Sequence, residues 1–221
     1  MTRLATLFIL LTASVGASAA DWSTRLDQDG VLIESRKTGE SKYEEFRAQT
    51  LLDVNVASAL ALLQDTEACT QWVFRCKESI TLEQPSATER SFHQVTSLPF
   101  PAKSRDVIFH AEISYKPEGT VKVEMTARPD ALPEGRHVRI QEAYGFYLLE
   151  PVSEDRTKIT WQQYVDPAGA LPSWLVNSML TDLPFRSLTA FRDLVTKAPY
   201  AGSVMVYDPD GLPIDISHEA Q

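Results

Sequence analysis

The chain of 221 residues has a formal charge of −9 and is 43% hydrophobic. That length suits one domain with a sizeable core, and the acidic balance without a basic patch excludes a nucleic-acid binder that works through phosphate contacts. It also opposes attraction to anionic lipid surfaces, so any membrane contact has to come from inserted apolar groups.

The first twenty residues, MTRLATLFILLTASVGASAA, place one arginine ahead of an apolar run from Leu4 to Leu11 and end on small side chains. That is the layout of a secretory signal peptide cleaved near Ala20, with an apolar run too short to span a bilayer. Cleavage leaves about 201 residues (221 minus 20) at a charge of −10 (−9 less the +1 of Arg3). The expected location is the periplasm or the outside of the cell. An oxidising compartment favours a bridge between the only two cysteines, Cys69 and Cys76. Seven residues along one continuous helix would separate their Cα atoms by about 10 Å, so a bridge requires the helix to end between them. Two cysteines without a nearby histidine make a poor zinc site, and no cofactor is expected.

Asp21 to Leu26 reads as the start of a short helix, and VLIESRK with YEEFRAQTLL as a hairpin. Asn55 is placed to cap the helix VASALALLQD, whose Val56, Leu60 and Leu63 share a face. A short helical piece carries Cys69 to Trp72. Six runs then follow, ESITLEQ, ERSFHQVTSL, RDVIFHAEISY, TVKVEMTAR, RHVRIQEAYGFYLL and TKITWQQYV, separated by proline and glycine turns. This spacing predicts a meandering antiparallel sheet. Alternation puts Val121, Val123, Met125 and Ala127 on one face, with Val107, Phe109, Ala111 and Ile113, and Ile159, Trp161, Gln163 and Val165 beside them. A sheet with one dry face needs a cover. The helical run from Pro172 to Lys197 offers one, with Leu175, Met179, Leu183, Leu188, Phe191 and Val195 at near-helical spacing and a kink or break expected at Pro184. Residues 198–221 read as a loosely attached tail.

The run LPFPAKSRDVIF, followed by HVRIQEAYGFYLLEPVSEDRTKITWQQYVDPAGALPSWLVN, resembles the START (steroidogenic acute regulatory protein-related lipid-transfer) domains. DGVLIESRK, YEEFRAQTLLD, a helix and a tryptophan follow the same order in the N-terminal half. The resemblance covers most of residues 21–197 and implies an α+β helix-grip fold, a curved antiparallel sheet wrapped around a long C-terminal helix with an internal apolar tunnel. It implies a lipid or other apolar cargo and transient contact with a membrane; a monomer is expected, although nothing in the sequence addresses oligomeric state. Asp166, Gly169, Leu171 and Pro172 would form the turn that aims the helix across the tunnel mouth, with Arg105 and Asp106 bracing turn structure.

With strand parity giving the inward side chains and the resemblance giving the tunnel and lid, the ligand is expected at Val95, Val107, Phe109, Ala111, Trp161 and Gln163, at His93 as a polar contact, and at Trp174, Leu175 and Met179 on the lid. A glutamate and an arginine that some family members hold in the tunnel align with Val95 and Ala111, so both charges are expected to be missing together. No G-x-S-x-G elbow and no H-E-x-x-H spacing is present, so the resemblance reads as a non-catalytic carrier. A sensing or docking module without transfer, and a cyclase-like or hydrolase-like enzyme, are the alternatives that a transfer assay and a test for chemical change of the ligand would separate.

Overall fold

The computed structural model describes residues 21–39, 41–211 and 213–217. The signal peptide expected at residues 1–20 lies outside the described residues. Ten strands build one sheet: β1 (Ser23–Gln28), β2 (Val31–Lys37), β3 (Glu44–Leu52), β4 (Cys76–Ser86), β5 (Glu89–Thr96), β6 (Arg105–Tyr115), β7 (Val121–Ala127), β8 (Val138–Arg139), β9 (Glu142–Ser153) and β10 (Arg156–Asp166). They run in the order β1-β2-β3-β10-β9-β7-β6-β5-β4, and β8 pairs with β6 where β7 has ended. Every pairing is antiparallel except β6 with β8. The run RHVRIQEAYGFYLL is therefore two strands, interrupted at Ile140 and Gln141.

Asp21 to Leu26 is mostly edge strand rather than helix, because its backbone pairs with β2. At Gly145 a Cβ would stand 2.3 Å from the carbonyl oxygen of Gln162, so only glycine lets β9 approach β10 at this point.

Helix α1 (Val56–Gln64) starts at Asn55, whose Oδ1 accepts from the Ser58 N–H at 2.8 Å. Seven of its nine residues are buried, as expected of a helix that is apolar on nearly every face. The short α2 (Cys69–Trp72) ends in time for a bridge: the Cys69 and Cys76 Cα atoms are 6.0 Å apart and their sulfurs are joined.

The C-terminal helical run is two helices, α3 (Ser173–Leu180) and α4 (Asp182–Val195). The break falls at Thr181, three residues ahead of Pro184, which lies in the first turn of α4 where its missing N–H has no helical partner to lose. Leu188, Phe191 and Val195 are fully buried, and α4 packs on β2, β3, α1 and α2.

Residues 198–221 are not a loose tail throughout. Val204–Tyr207 (β11) and Pro213–Ser217 (β12) form a hairpin against α1, with Met205 and Ile216 packed on the core. Tyr200 is buried, with its hydroxyl donating to Asp65 Oδ2 at 2.6 Å, and Asn55 Nδ2 donates to the Ser203 carbonyl at 3.1 Å.

Candidate functional site

Where α3 faces the sheet, a cavity of about 100 Å³ remains. Val107 and Phe109 of β6, Trp161, Gln163 and Val165 of β10, Gln94 and Thr96 of β5, and Val176, Met179, Leu180 and Leu183 of the helices wall this outer chamber. The alternation of β6 and β10 turns these side chains inward. Trp161 packs edge-on against Phe46 at 5.0 Å between centroids and stacks on Tyr147 at 5.2 Å. Its Nε1–H donates to Gln163 Oε1 at 3.0 Å, so the inward amide is oriented by its neighbour two residues away. A space of this size is of the order of the ~150 Å³ apolar void that takes one benzene ring. A molecule with tens of carbons needs α3 to move.

A second cavity of about 50 Å³, the inner chamber, lies further along the sheet, between Asp65, Trp72, Arg90, Phe92, Ala111 and Tyr147. Arg90 belongs to β5 and is 8% exposed. Its guanidinium donates to the Leu63 carbonyl at 2.6 Å and the Gln64 carbonyl at 2.7 Å, the orphaned acceptors at the end of α1. Burial pushes the guanidinium down to about 10, with Asp65 opposing the shift, so Arg90 is still a cation at neutral pH. Arg90 Nε–H and Trp72 Nε1–H are buried without a partner. Buried donors left unmet are costly. A ligand oxygen would satisfy them.

The two family charges are absent at Val95 and Ala111 as expected, but the inward face carries a cation that the sequence reading did not place, Arg90. The pairing of β5 with β6 is the reason. Phe92 faces Phe109, Gln94 faces Val107 and Arg90 faces Ala111, so the even-numbered positions of β5 point inward. Val95 pairs with Asp106 and His93 with Ile108, which places both on the opposite face and removes them from the ligand set. There His93 Nε2 lies 3.0 Å from Asp106 Oδ2, and Arg139 ion-pairs with the same oxygen at 2.9 Å. Arg139 also donates to the carbonyls of Pro129, Leu132 and Pro133. This cluster pins a surface loop and does no work inside the cavity.

Val107, Phe109, Trp161, Gln163 and Met179 stand where the sequence predicts them, in the outer chamber, and Ala111 stands in the inner one. Leu175 is buried but lines neither chamber, and Trp174 is 59% exposed at the start of α3. Sequence reasoning missed Arg90, Gln94, Thr96 and Trp72. Phe92, an aromatic of opposite parity to Val95, was the signal available for the three on β5.

The turn before α3 is built as expected. Asp166 Oδ1 accepts from the Ala168 N–H at 2.8 Å, and Ala168 and Gly169 both take positive φ, 56° and 68°. Arg105 braces it by donating to the carbonyls of Pro167 and Ala168, each at 2.9 Å.

A long antiparallel sheet, a C-terminal helical segment laid over it and a mostly apolar cavity between them define a helix-grip fold. The START domain profile matches residues 9–187, and the chain belongs to that family. It is 31% identical over 182 residues to the uncharacterized protein PA1579 of Pseudomonas aeruginosa, covering 82% of this chain and 90% of that one. The human phosphatidylcholine transfer protein is 24% identical over 168 residues, 72% of this chain and 77% of its own. Among solved structures, a STAR-related lipid transfer protein from Xanthomonas axonopodis superposes with a TM-score of 0.74 at 30% identity, over 80% of this chain and 99% of that one.

Proposed function

We propose that this chain is an exported, non-catalytic lipid carrier that holds one apolar molecule under α3, with the polar end of that molecule directed at Arg90. The observation that carries the reading is an apolar chamber behind a short helix, adjoined by a smaller chamber whose wall holds two unpartnered buried donors. Apolar burial supplies affinity at about 25 cal/mol per Å², and the buried cation favours cargo with an acidic or oxygen-bearing head. The names of the related proteins, a lipid transfer protein and a phosphatidylcholine transfer protein, agree with this class.

Loading takes place at a membrane surface. Phe100 is 96% exposed, and Leu132 and Trp174 add exposed apolar surface. Phe100 lies in the loop whose Leu98 lines the outer chamber, and Trp174 lies on the helix that closes it. On a chain of charge −9, these groups rather than electrostatics make the contact. The carrier works in the periplasm or outside the cell as a monomer, without nucleic acid or cofactor.

The test is native mass spectrometry of the protein purified from the envelope of its host, followed by denaturation and identification of what is released. A stoichiometric lipid is expected. A folded but empty protein that also fails to move lipid between vesicles would overturn the reading in favour of a sensing or docking module, and a chemically altered ligand would point to an enzyme.

A further inference from the structure

The outer and inner chambers share two wall residues, Val73 and Gln94, and differ in all others. The two cavities therefore adjoin at these two side chains. One of the two is fixed. Val73 lies within the ring closed by the Cys69–Cys76 disulfide, its N–H donates to the Cys69 carbonyl and its carbonyl accepts from the Cys76 N–H, both at 2.9 Å. The ring is tied outward as well: the Phe74 N–H donates to Ser187 Oγ of α4 at 2.9 Å, and the Arg75 carbonyl accepts from the Ser97 N–H at 2.9 Å. The side chain at this pinned backbone is β-branched and stiff at χ1. The other shared wall residue, Gln94, is half-buried and unbranched, free to change rotamer at small cost.

We propose that Val73 and Gln94 form the specificity gate of the tunnel, with Val73 the fixed jaw and Gln94 the moving one. This rests on the lipid-carrier reading and names its substrate class. A passage between a rigid branched side chain and one swinging amide admits a slim head such as a carboxylate to the Arg90 chamber. The bulkier head of a diacyl glycerophospholipid is held in the outer chamber, away from the buried cation. The preferred cargo is a single-chain carboxylic acid.

The experiment measures displacement of a fluorescent apolar probe from the intact, oxidised protein by palmitate and by dipalmitoyl phosphatidate, each presented in the same neutral vesicles. Wild type is expected to prefer palmitate by about tenfold or more. Val73→Ala should reduce that preference severalfold by admitting phosphatidate, and Val73→Phe should weaken palmitate about tenfold. The double variant Cys69→Ser, Cys76→Ser, which frees the ring, should change the ratio in the same direction as Val73→Ala and keeps the test alive if Val73→Phe does not fold. Wild type that binds both lipids with the ratio unchanged in Val73→Ala and in the cysteine variant overturns the gate and leaves the carrier standing. Wild type that binds neither lipid and transfers none overturns the carrier, and the gate with it.

Discussion

The helices α3 and α4 follow one another across a single residue, yet they are held very differently. α4 puts Leu188, Phe191 and Val195 into the core with no exposed surface, and Phe191 meets Trp72 edge-on at 4.9 Å between centroids. α3 has eight residues, no side-chain cap and an exposed Trp174, and its Val176, Met179 and Leu180 face the outer chamber. Thr181, at φ −122° and ψ −59°, separates them. An eight-residue helix is marginal on its own, so α3 depends on contacts beside a partly empty space, whereas α4 depends on close packing. Of the two, α3 is the one whose displacement should cost less. Phe191→Ala should therefore lower unfolding stability by about 3–5 kcal/mol, while Met179→Ala should cost about 1 kcal/mol and chiefly speed ligand exchange. Equal losses in denaturant titrations of the two variants would remove the distinction.

On the other face of the sheet, buried ions hold the surface loop at residues 129–133. Burial alone would raise the Asp106 carboxyl, but hydrogen bonds from Arg139 and His93 outweigh it and hold the group below its ordinary 3.8. A carboxyl whose folded value is depressed adds stability that is complete above its unfolded value and is lost as the pH falls through the folded one. Wild type should thus lose stability as the pH drops below about 4. Asp106→Asn should cost about 3 kcal/mol at neutral pH, since it leaves Arg139 buried without its counter-charge, and should flatten that acid limb. An unchanged acid limb in urea titrations across the pH range would show that other carboxyls carry it.

What the sequence made legible follows from where alternation is clearest. On β6, β7 and β10 the apolar side chains fall mostly on one parity, although Ile108 and Tyr164 on the other are buried too, so Val107, Phe109, Val123 and Trp161 could be placed from sequence. On β5 the same rule has two answers, since Phe92 and Val95 are apolar on opposite parities and both are buried. Only the register with β6 decides, and register is a long-range property. Arg90 was missed for a related reason. A charge near the start of a strand reads as solvent-facing, and the carbonyls that make its burial tolerable belong to α1, 26 and 27 residues earlier. β1 was misread because STRLDQ is an edge strand with little apolar alternation to show. The hairpin of β11 and β12 escaped because its apolar side chains have meaning only beside the face of α1 that they cover.

The smallest expected change in stability tests the lid most directly. Trp174 stands on α3 with more than half its surface exposed, so Trp174→Ala should leave unfolding within about 0.5 kcal/mol of wild type. Its indole has nonetheless an apolar body and a polar N–H, the combination that settles at the interface between water and acyl chains. If α3 opens against a bilayer, losing that anchor should slow vesicle-to-vesicle transfer severalfold while affinity for ligand delivered from detergent stays the same. Phe100→Ser should act in the same way, and the pair should act more strongly than either variant alone, because both groups contact one surface. Transfer that is unchanged in the double variant would place membrane contact elsewhere on the molecule. Transfer and affinity falling together would mean that Trp174 helps hold the ligand, which would make α3 part of the binding wall along its whole length.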